Sequence, residues 1–212
     1  MNFTTQVSIV RSTFTALFAA LICIGCFISV PMPGGIPITI QNLFAILSGL
    51  ILGGFQGAGA VGLFILLGAI GVPVFSGSKS GFAHLIGPTG GFLWGYFLAA
   101  FIGGIIAGTP TKAEKKFRLS AWVRITAGSI AAFCINYSLG IPWFIHVMTA
   151  KGNFMTVSKA LEYTLIPFIP GDVAKLIVSI PLAAIIRPLA ARYLYPDDER
   201  EADELIARLK QS

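Results

Sequence analysis

The chain has 212 residues, of which 55% are hydrophobic and 11% charged, against about 25% charged in an ordinary soluble domain. Its mean hydropathy of +0.82 leaves too few polar side chains to cover a solvated surface, which excludes a soluble globule and points to a membrane protein. The net charge of +6 raises nucleic acid as a partner, but the cations sit in short connections and near the C-terminus, where they read as topology signals instead.

The apolar runs are continuous rather than alternating, so an all-α bundle is expected and not an outer-membrane barrel. A spanning helix needs about 20 mostly apolar residues, and six candidates are expected. The first runs from about Val10 to Val30 and is closed by the PMPGGIP turn. The second, a short one, covers about Thr39 to Gly53, and the third about Ala58 to Val74. Between them lies the tight connection Gly53, Gly54, Phe55, Gln56 and Gly57. The fourth covers about Gly90 to Gly108, the fifth about Leu119 to Leu139 and the sixth about Asp172 to Leu194. The 24 glycines suit closely packed membrane helices. The first run is too long for the core of a cleavable signal peptide.

Two longer connections remain. Residues 75–89, FSGSKSGFAHLIGPT, are rich in Gly and Ser, and residues 140–171 hold a short helix expected at about Thr156 to Leu165. The membrane domain is expected to end near residue 196. Residues 197–212, with Asp197, Asp198, Glu199, Glu201, Asp203 and Glu204, read as a short acidic cytoplasmic helix or tail. If the N-terminus is cytoplasmic, the inner side carries Arg11, Lys112, Lys115, Lys116, Arg118, Arg187, Arg192, Arg200, Arg208 and Lys210. The outer side then carries Lys79, Lys151 and Lys159. That asymmetry puts both termini inside.

Within the apolar runs, Arg124, Asp172 and Lys175 are the charges that need a reason, since each costs about 2.5–3.5 kcal/mol at mid-bilayer. Asp172 and Lys175 stand in IPFIPGDVAK, at the outer end of the sixth helix. Three residues are about 300° of helical turn, so the two side chains share a face. One reading is a helix cap with a local ion pair, because the free N–H groups and the dipole favour an acid in the first turn. The other is recognition: the carboxylate accepts N–H bonds and the ammonium donates to a carbonyl. A urea-like group fits that pair, and so do amides, amino acids and pyrimidines.

Four stretches, IPITIQNLFAILSGLILGGFQGA (36–58), LLGAIGVPVFSG (66–77), LIGPTGGFLWGYFLAAF (85–101) and IPFIPGDVAK (166–175), make the sequence resemble the BioY family, the biotin-binding S-components of energy-coupling factor (ECF) transporters. The resemblance covers about residues 8–195. It implies a six-helix membrane protein of the bacterial cytoplasmic membrane that takes up biotin. Its partners would be a transmembrane coupling protein and two cytoplasmic ATPases, so that ATP is bound by partner subunits and no cofactor is expected. It also implies that Asp172 and Lys175 face the ureido ring. The Ala16-x-x-x-Ala20 face of the first helix would meet the coupling protein. As bare patterns, Gly49/Gly53 and Gly104/Gly108 match the same spacing, for which ordinary internal packing is the competing explanation. The loop SGSKSGFAH departs from the family by adding Lys79 and His84 to a glycine-rich stretch, and the acidic tail is a second departure.

For the fused thioether ring of such a ligand, aromatic walls are expected from Trp94, Tyr96, Phe92, Tyr137 and Trp143, although aromatic residues also gather at membrane interfaces. For its carboxylate, the candidates are Lys79, Ser76, Ser78 and Ser80, with Arg124 expected to snorkel to the inner interface instead. Gln41, Asn42 and Asn136 suit ligand contact and interhelical bonding equally. His84 and His146 read as isolated surface histidines with no metal-site spacing. Cys23-x-x-Cys26 lacks a second ligand pair and reads as apolar helix residues. GPTGG is not followed by the Lys-Ser/Thr of a phosphate loop. The alternatives are the same scaffold carrying another small vitamin-like substrate, or a solitary facilitator, for which inverted repeats would be expected. An intramembrane enzyme would need further catalytic partners that the spans do not supply.

Overall fold

The computed structural model describes residues 3–30, 37–112 and 119–196. The expected turn at 31–36, the inner-side cations Lys115, Lys116 and Arg118, and the acidic tail at 197–212 lie outside the described residues. The chain folds as helices α1 (Phe3–Ile24), α2 (Gln41–Leu52), α3 (Gly54–Ala69), α4 (Phe82–Leu85), α5 (Gly90–Ala107), α6 (Leu119–Ala150), α7 (Val157–Thr164) and α8 (Ile169–Leu194). A two-residue ribbon, β1 (Ser29–Val30) against β2 (Ile38–Thr39), ties the end of α1 to the start of α2 in antiparallel register.

Among the described residues four helices, α1, α5, α6 and α8, are long and apolar enough to cross a membrane. The expected second and third spans are the shorter apolar helices α2 and α3. Every residue of α2 except Phe44 is buried. A helix buried on all sides is a core element, and one enclosed by other helices need not match the hydrocarbon thickness by itself. Gly53, at φ +86°, makes the break between α2 and α3, a conformation that a Cβ would strain.

α3 spans Gly54–Ala69 instead of about Ala58 to Val74, so that Gly53 alone remains of the expected 53–57 connection, and three further boundaries differ from the sequence expectation for physical reasons. α1 stops at Ile24 instead of Val30 because the chain turns at Gly25, against the Gln41 backbone, and enters the ribbon. α6 runs on to Ala150, through Pro142. Proline removes one helical hydrogen bond, but the turns beyond it are anchored by buried Phe144 and by Trp143 Nε1, which donates to the Gly87 carbonyl at 2.9 Å. α8 begins at Ile169, so Pro170 lies inside its first turn and does not precede the helix. Proline suits that position, where its missing N–H would have had no partner.

The centre of the bundle is a glycine crossing. A Cβ on Gly49 would sit 2.1 Å from the Ala100 carbonyl oxygen, one on Gly57 2.4 Å from Gly49 Cα, and one on Gly104 2.6 Å from the Gly49 carbonyl oxygen. The patterns containing Gly49 and Gly104 therefore serve internal packing of α2, α3 and α5. Ala16 and Ala20 lie instead on an exposed face of α1. Gly49→Ala is expected to lower the melting temperature in detergent sharply. Backbone atoms cannot yield as a flexible side chain can, and overpacking of this kind costs about 1–3 kcal/mol or more. Gly59→Ala, whose Cβ would meet only Thr15 Cγ2 at 3.6 Å, is the matched control and should be nearly silent.

The bundle has two distinct ends. At one, Arg11 Nε donates to the Leu194 carbonyl at 2.9 Å, and Tyr195 Oη donates to Leu52 O, also at 2.9 Å. Arg187 is completely buried there and donates to the carbonyls of Leu50, Ala107 and Gly108. These carbonyls lie at the C-terminal ends of α2 and α5, where a helix leaves acceptors unpaired and favours a cation. Arg187, counted from sequence among interfacial inner-side cations, is thus a core residue. Arg124 is exposed, with its guanidinium beside Gly108 at the end of α5. The starts of α2, α5 and α8 gather at the opposite end, around a cavity.

Candidate functional site

The cavity is walled by Gln41 and Asn42 of α2, Phe92, Leu93 and Tyr96 of α5, Asn136 and Tyr137 of α6, and Asp172 and Lys175 of α8. Pro37, Thr39, Ser76, His84, Thr89, Thr164 and Phe168 close it from the connections and short helices.

Asp172 and Lys175 come together as their spacing predicts, with Lys175 Nζ 3.0 Å from Asp172 Oδ1. Two further residues complete the cluster. Asn42 Nδ2 donates to Asp172 Oδ1 at 2.9 Å, and Lys175 Nζ donates to Asn42 Oδ1 at 2.8 Å. The Tyr137 hydroxyl donates to Asp172 Oδ2, and its ring meets Phe92 edge-on at 6.1 Å. Asn42 Oδ1 also takes the Leu43 backbone N–H at 3.0 Å, which fixes the amide's orientation.

The hydrogen-bonding capacity left over defines what the cluster can bind. A carboxylate offers about four acceptor positions and an ammonium three N–H bonds. Asp172 uses three of its positions, and Lys175 uses two of its N–H bonds. One acceptor on Asp172, one donor on Lys175 and the second N–H of Asn42 remain. Asn136 Oδ1 and Gln41 Oε1 are buried with no hydrogen-bond partner among the described residues. Gln41 is held by its other end, where Nε2 donates to Ile22 O at 3.2 Å and to Val74 O at 2.8 Å. Asn136 Oδ1 sits against Gly95, where a Cβ would lie 2.5 Å away. Buried acceptors without partners are costly. Their presence on a cavity wall fits a ligand that brings N–H donors.

Of the residues singled out from sequence, Asp172, Lys175, Gln41, Tyr96, Ser76 and Asn136 line the cavity, as do Phe92 and Tyr137 from the wider aromatic set. Trp94 is 44% exposed and lies outside the lining. Trp143 works behind it, tying α6 to Gly87. Lys79 is exposed and is not part of the wall; its backbone closes a tight hairpin with Phe75, at 2.9 and 3.2 Å. His84, read from sequence as an isolated surface residue, lies on the wall, half-buried and stacked on Phe75 with ring centroids 5.3 Å apart. Burial first, then the Lys79 charge, holds its imidazole below the ordinary value of 6.5. Among the described residues no His, Cys, Asp and Glu cluster could hold a metal.

Curated relatives match the chain over most of its length. A biotin transporter BioY of Thermotoga maritima is 37% identical over 176 residues, which cover 82% of this chain and 93% of that protein. A biotin transporter BioY of Rhodobacter capsulatus is 39% identical over 171 residues, 79% of this chain and 87% of its own. A solved crystal structure, the S-component for biotin from an ECF-type ABC transporter, superposes with a TM-score of 0.70 at 27% identity, over 88% of this chain and 94% of that one. The BioY family model matches residues 2–192, and the chain belongs to the BioY family.

Proposed function

We propose that this protein captures biotin at the outer face of the cytoplasmic membrane and serves as the substrate-binding component of an ECF-type transporter. The observation that carries the reading is the set of unused hydrogen-bonding positions at Asp172, Lys175 and Asn42, beside the unpartnered oxygens of Asn136 and Gln41. A ureido ring presents two N–H donors and one carbonyl acceptor. Its N–H groups would meet Asp172 and a neighbouring amide oxygen, and its carbonyl would meet Lys175 and Asn42. Phe92, Tyr96 and Tyr137 would wall the thioether ring. Trp94 and Lys79 would act from outside the lining, Ser76 at its rim.

In this reading the chain crosses the membrane six times, with α2 and α3 as short, protein-enclosed crossings and both termini in the cytoplasm. The cationic end bearing Arg11 and Arg187 then faces inward, in keeping with the excess of Lys and Arg on that side. The exposed Ala16 and Ala20 of α1 offer a small-residue face for the coupling protein, which two cytoplasmic ATPases would drive. Residues 1–196 form the substrate-binding domain, and 197–212 a cytoplasmic appendage.

Purified protein in detergent is expected to bind labelled biotin tightly, to be displaced by desthiobiotin and to ignore thiamine and riboflavin. Displacement by either vitamin in preference to desthiobiotin would assign the scaffold another substrate. In vesicles, ATP-driven biotin uptake should require the coupling protein and ATPases. Such uptake by this chain alone would overturn the transport mechanism while leaving the binding reading to stand on its own test.

A further inference from the structure

Biotin carries a carboxylate at the far end of its acyl chain, and the Asp172–Lys175 cluster does not account for it. The cavity lining also includes Ser76, His84 and Thr89, none of which bonds to that cluster in the contacts given above. The His84 ring is braced on both sides of its function. It stacks on Phe75 at an interplanar angle of 20°, and its Nε2 lies 3.1 Å from Thr89 Oγ1. Phe75 is itself completely buried and set edge-on to Phe64, at the base of the hairpin that it closes with Lys79. An imidazole held this way has one orientation and little rotamer entropy left to lose on binding.

The charges around His84 favour an anion. The connection before α4 contributes Lys79, whose positive field reaches the imidazole. The other titratable groups on the cavity wall are Tyr96 on α5, Tyr137 on α6, and Asp172 and Lys175 on α8. Asp172, the carboxylate among them, is already bonded to Lys175, Asn42 and Tyr137.

We infer, resting on the biotin reading above, that His84, braced by Phe75 and Thr89, takes the carboxylate of the ligand's acyl chain and makes the protein prefer the free acid over its neutral amide. Without ligand, burial and Lys79 keep the imidazole neutral at pH 7. An arriving carboxylate favours the imidazolium, so binding takes up a proton. Affinity for the acid therefore rises as pH falls through the ligand-bound pKa of His84, and levels off below its ligand-free pKa.

The test compares affinities for biotin and biotinamide in wild type, His84→Gln and His84→Ala, at about pH 7.5 and about pH 5.5, the range in which histidine titrates. Wild type should prefer the acid, more so at the lower pH, by roughly ten-fold or more, as for a charge-assisted hydrogen bond. Both variants should lose most of that preference and its pH dependence, with a far larger loss of affinity for the acid than for the amide. An unchanged preference in either folded variant overturns the inference, and so does an equal loss for acid and amide, which would make His84 a structural brace. Failure of folded wild type to bind either compound overturns the biotin reading itself and His84's role with it.

Discussion

Asp172→Asn is expected to weaken biotin binding by roughly a hundred-fold or more. The substitution keeps the shape and exchanges one carboxylate oxygen for an NH₂ group. The remaining oxygen can still accept from Asn42 and Lys175, as Asp172 Oδ1 does at 2.9 and 3.0 Å. The new NH₂ cannot accept from the Tyr137 hydroxyl, nor from a ureido N–H. The Lys175 ammonium, 13% exposed, loses its counter-charge. The ureido bond lost is charge-assisted and costs about 1.5–3 kcal/mol, and the missing counter-charge beside Lys175 and the missing Tyr137 anchor disorder the site further, which together bring the loss to about a hundred-fold in affinity. Lys175→Met should cost less, roughly ten- to hundred-fold, because Asp172 keeps two neutral donors in Asn42 and Tyr137. The double variant should fall short of the sum, since both changes disturb one network. Equilibrium binding with melting curves run in parallel separates this from a purely structural cap: unchanged affinity with a lowered melting temperature would mean that the pair only starts α8.

What was legible in the sequence is what a single helix encodes. The pair at 172 and 175 needs only a three-residue spacing, and the long apolar runs need only length. Asn42 and Tyr137 complete the cluster from α2 and α6, and no local pattern states that two helices will bring them within hydrogen-bonding distance of one carboxylate. Gln41 and Asn42 at a helix start look like capping residues, and only the burial of α2 on all sides turns them inward. His84 was illegible because its position depends on a hairpin and a four-residue helix stacking one ring on another. α6 runs through Pro142 because Trp143 and Phe144 anchor the turns beyond it, and α8 includes Pro170 because the first turn has no need of its missing N–H; neither is a local signal.

Arg187 is the instructive miss, because the sequence held a signal for it. It sits among cations near the C-terminus, so charge counting assigned it to the interface. The buried residues Ser179, Ala183, Arg187, Ala190, Ala191 and Leu194 nevertheless recur on one stripe of α8 at spacings of three and four. Small residues on either side of a large cation mark a face pressed against neighbouring backbone. A cation on such a face reaches the acceptors that backbone leaves unpaired, here the last carbonyls of α2 and α5.

Arg187→Met is accordingly expected to destabilise the protein by about 3–5 kcal/mol, the range for breaking a buried charged network. Two terms oppose each other. Removing the guanidinium relieves the cost of burying a charge, but it leaves the carbonyls of Leu50, Ala107 and Gly108 without their donor. Each orphaned acceptor costs about 1–3 kcal/mol, and three of them outweigh the relief. Arg187→Lys keeps the charge but has no planar fork, so it can serve fewer of the three carbonyls and should recover only part of the loss. Because Arg187 lies at the end of the bundle away from the cavity, the fraction of the variant that remains folded should bind biotin with near wild-type affinity. Melting curves in detergent measure the first effect, and binding normalised to folded protein measures the second. A melting temperature unchanged in Arg187→Met would mean that α2 and α5 end without needing this donor. A stable variant that had lost biotin affinity would make Arg187 a coupling element between the two ends of the bundle.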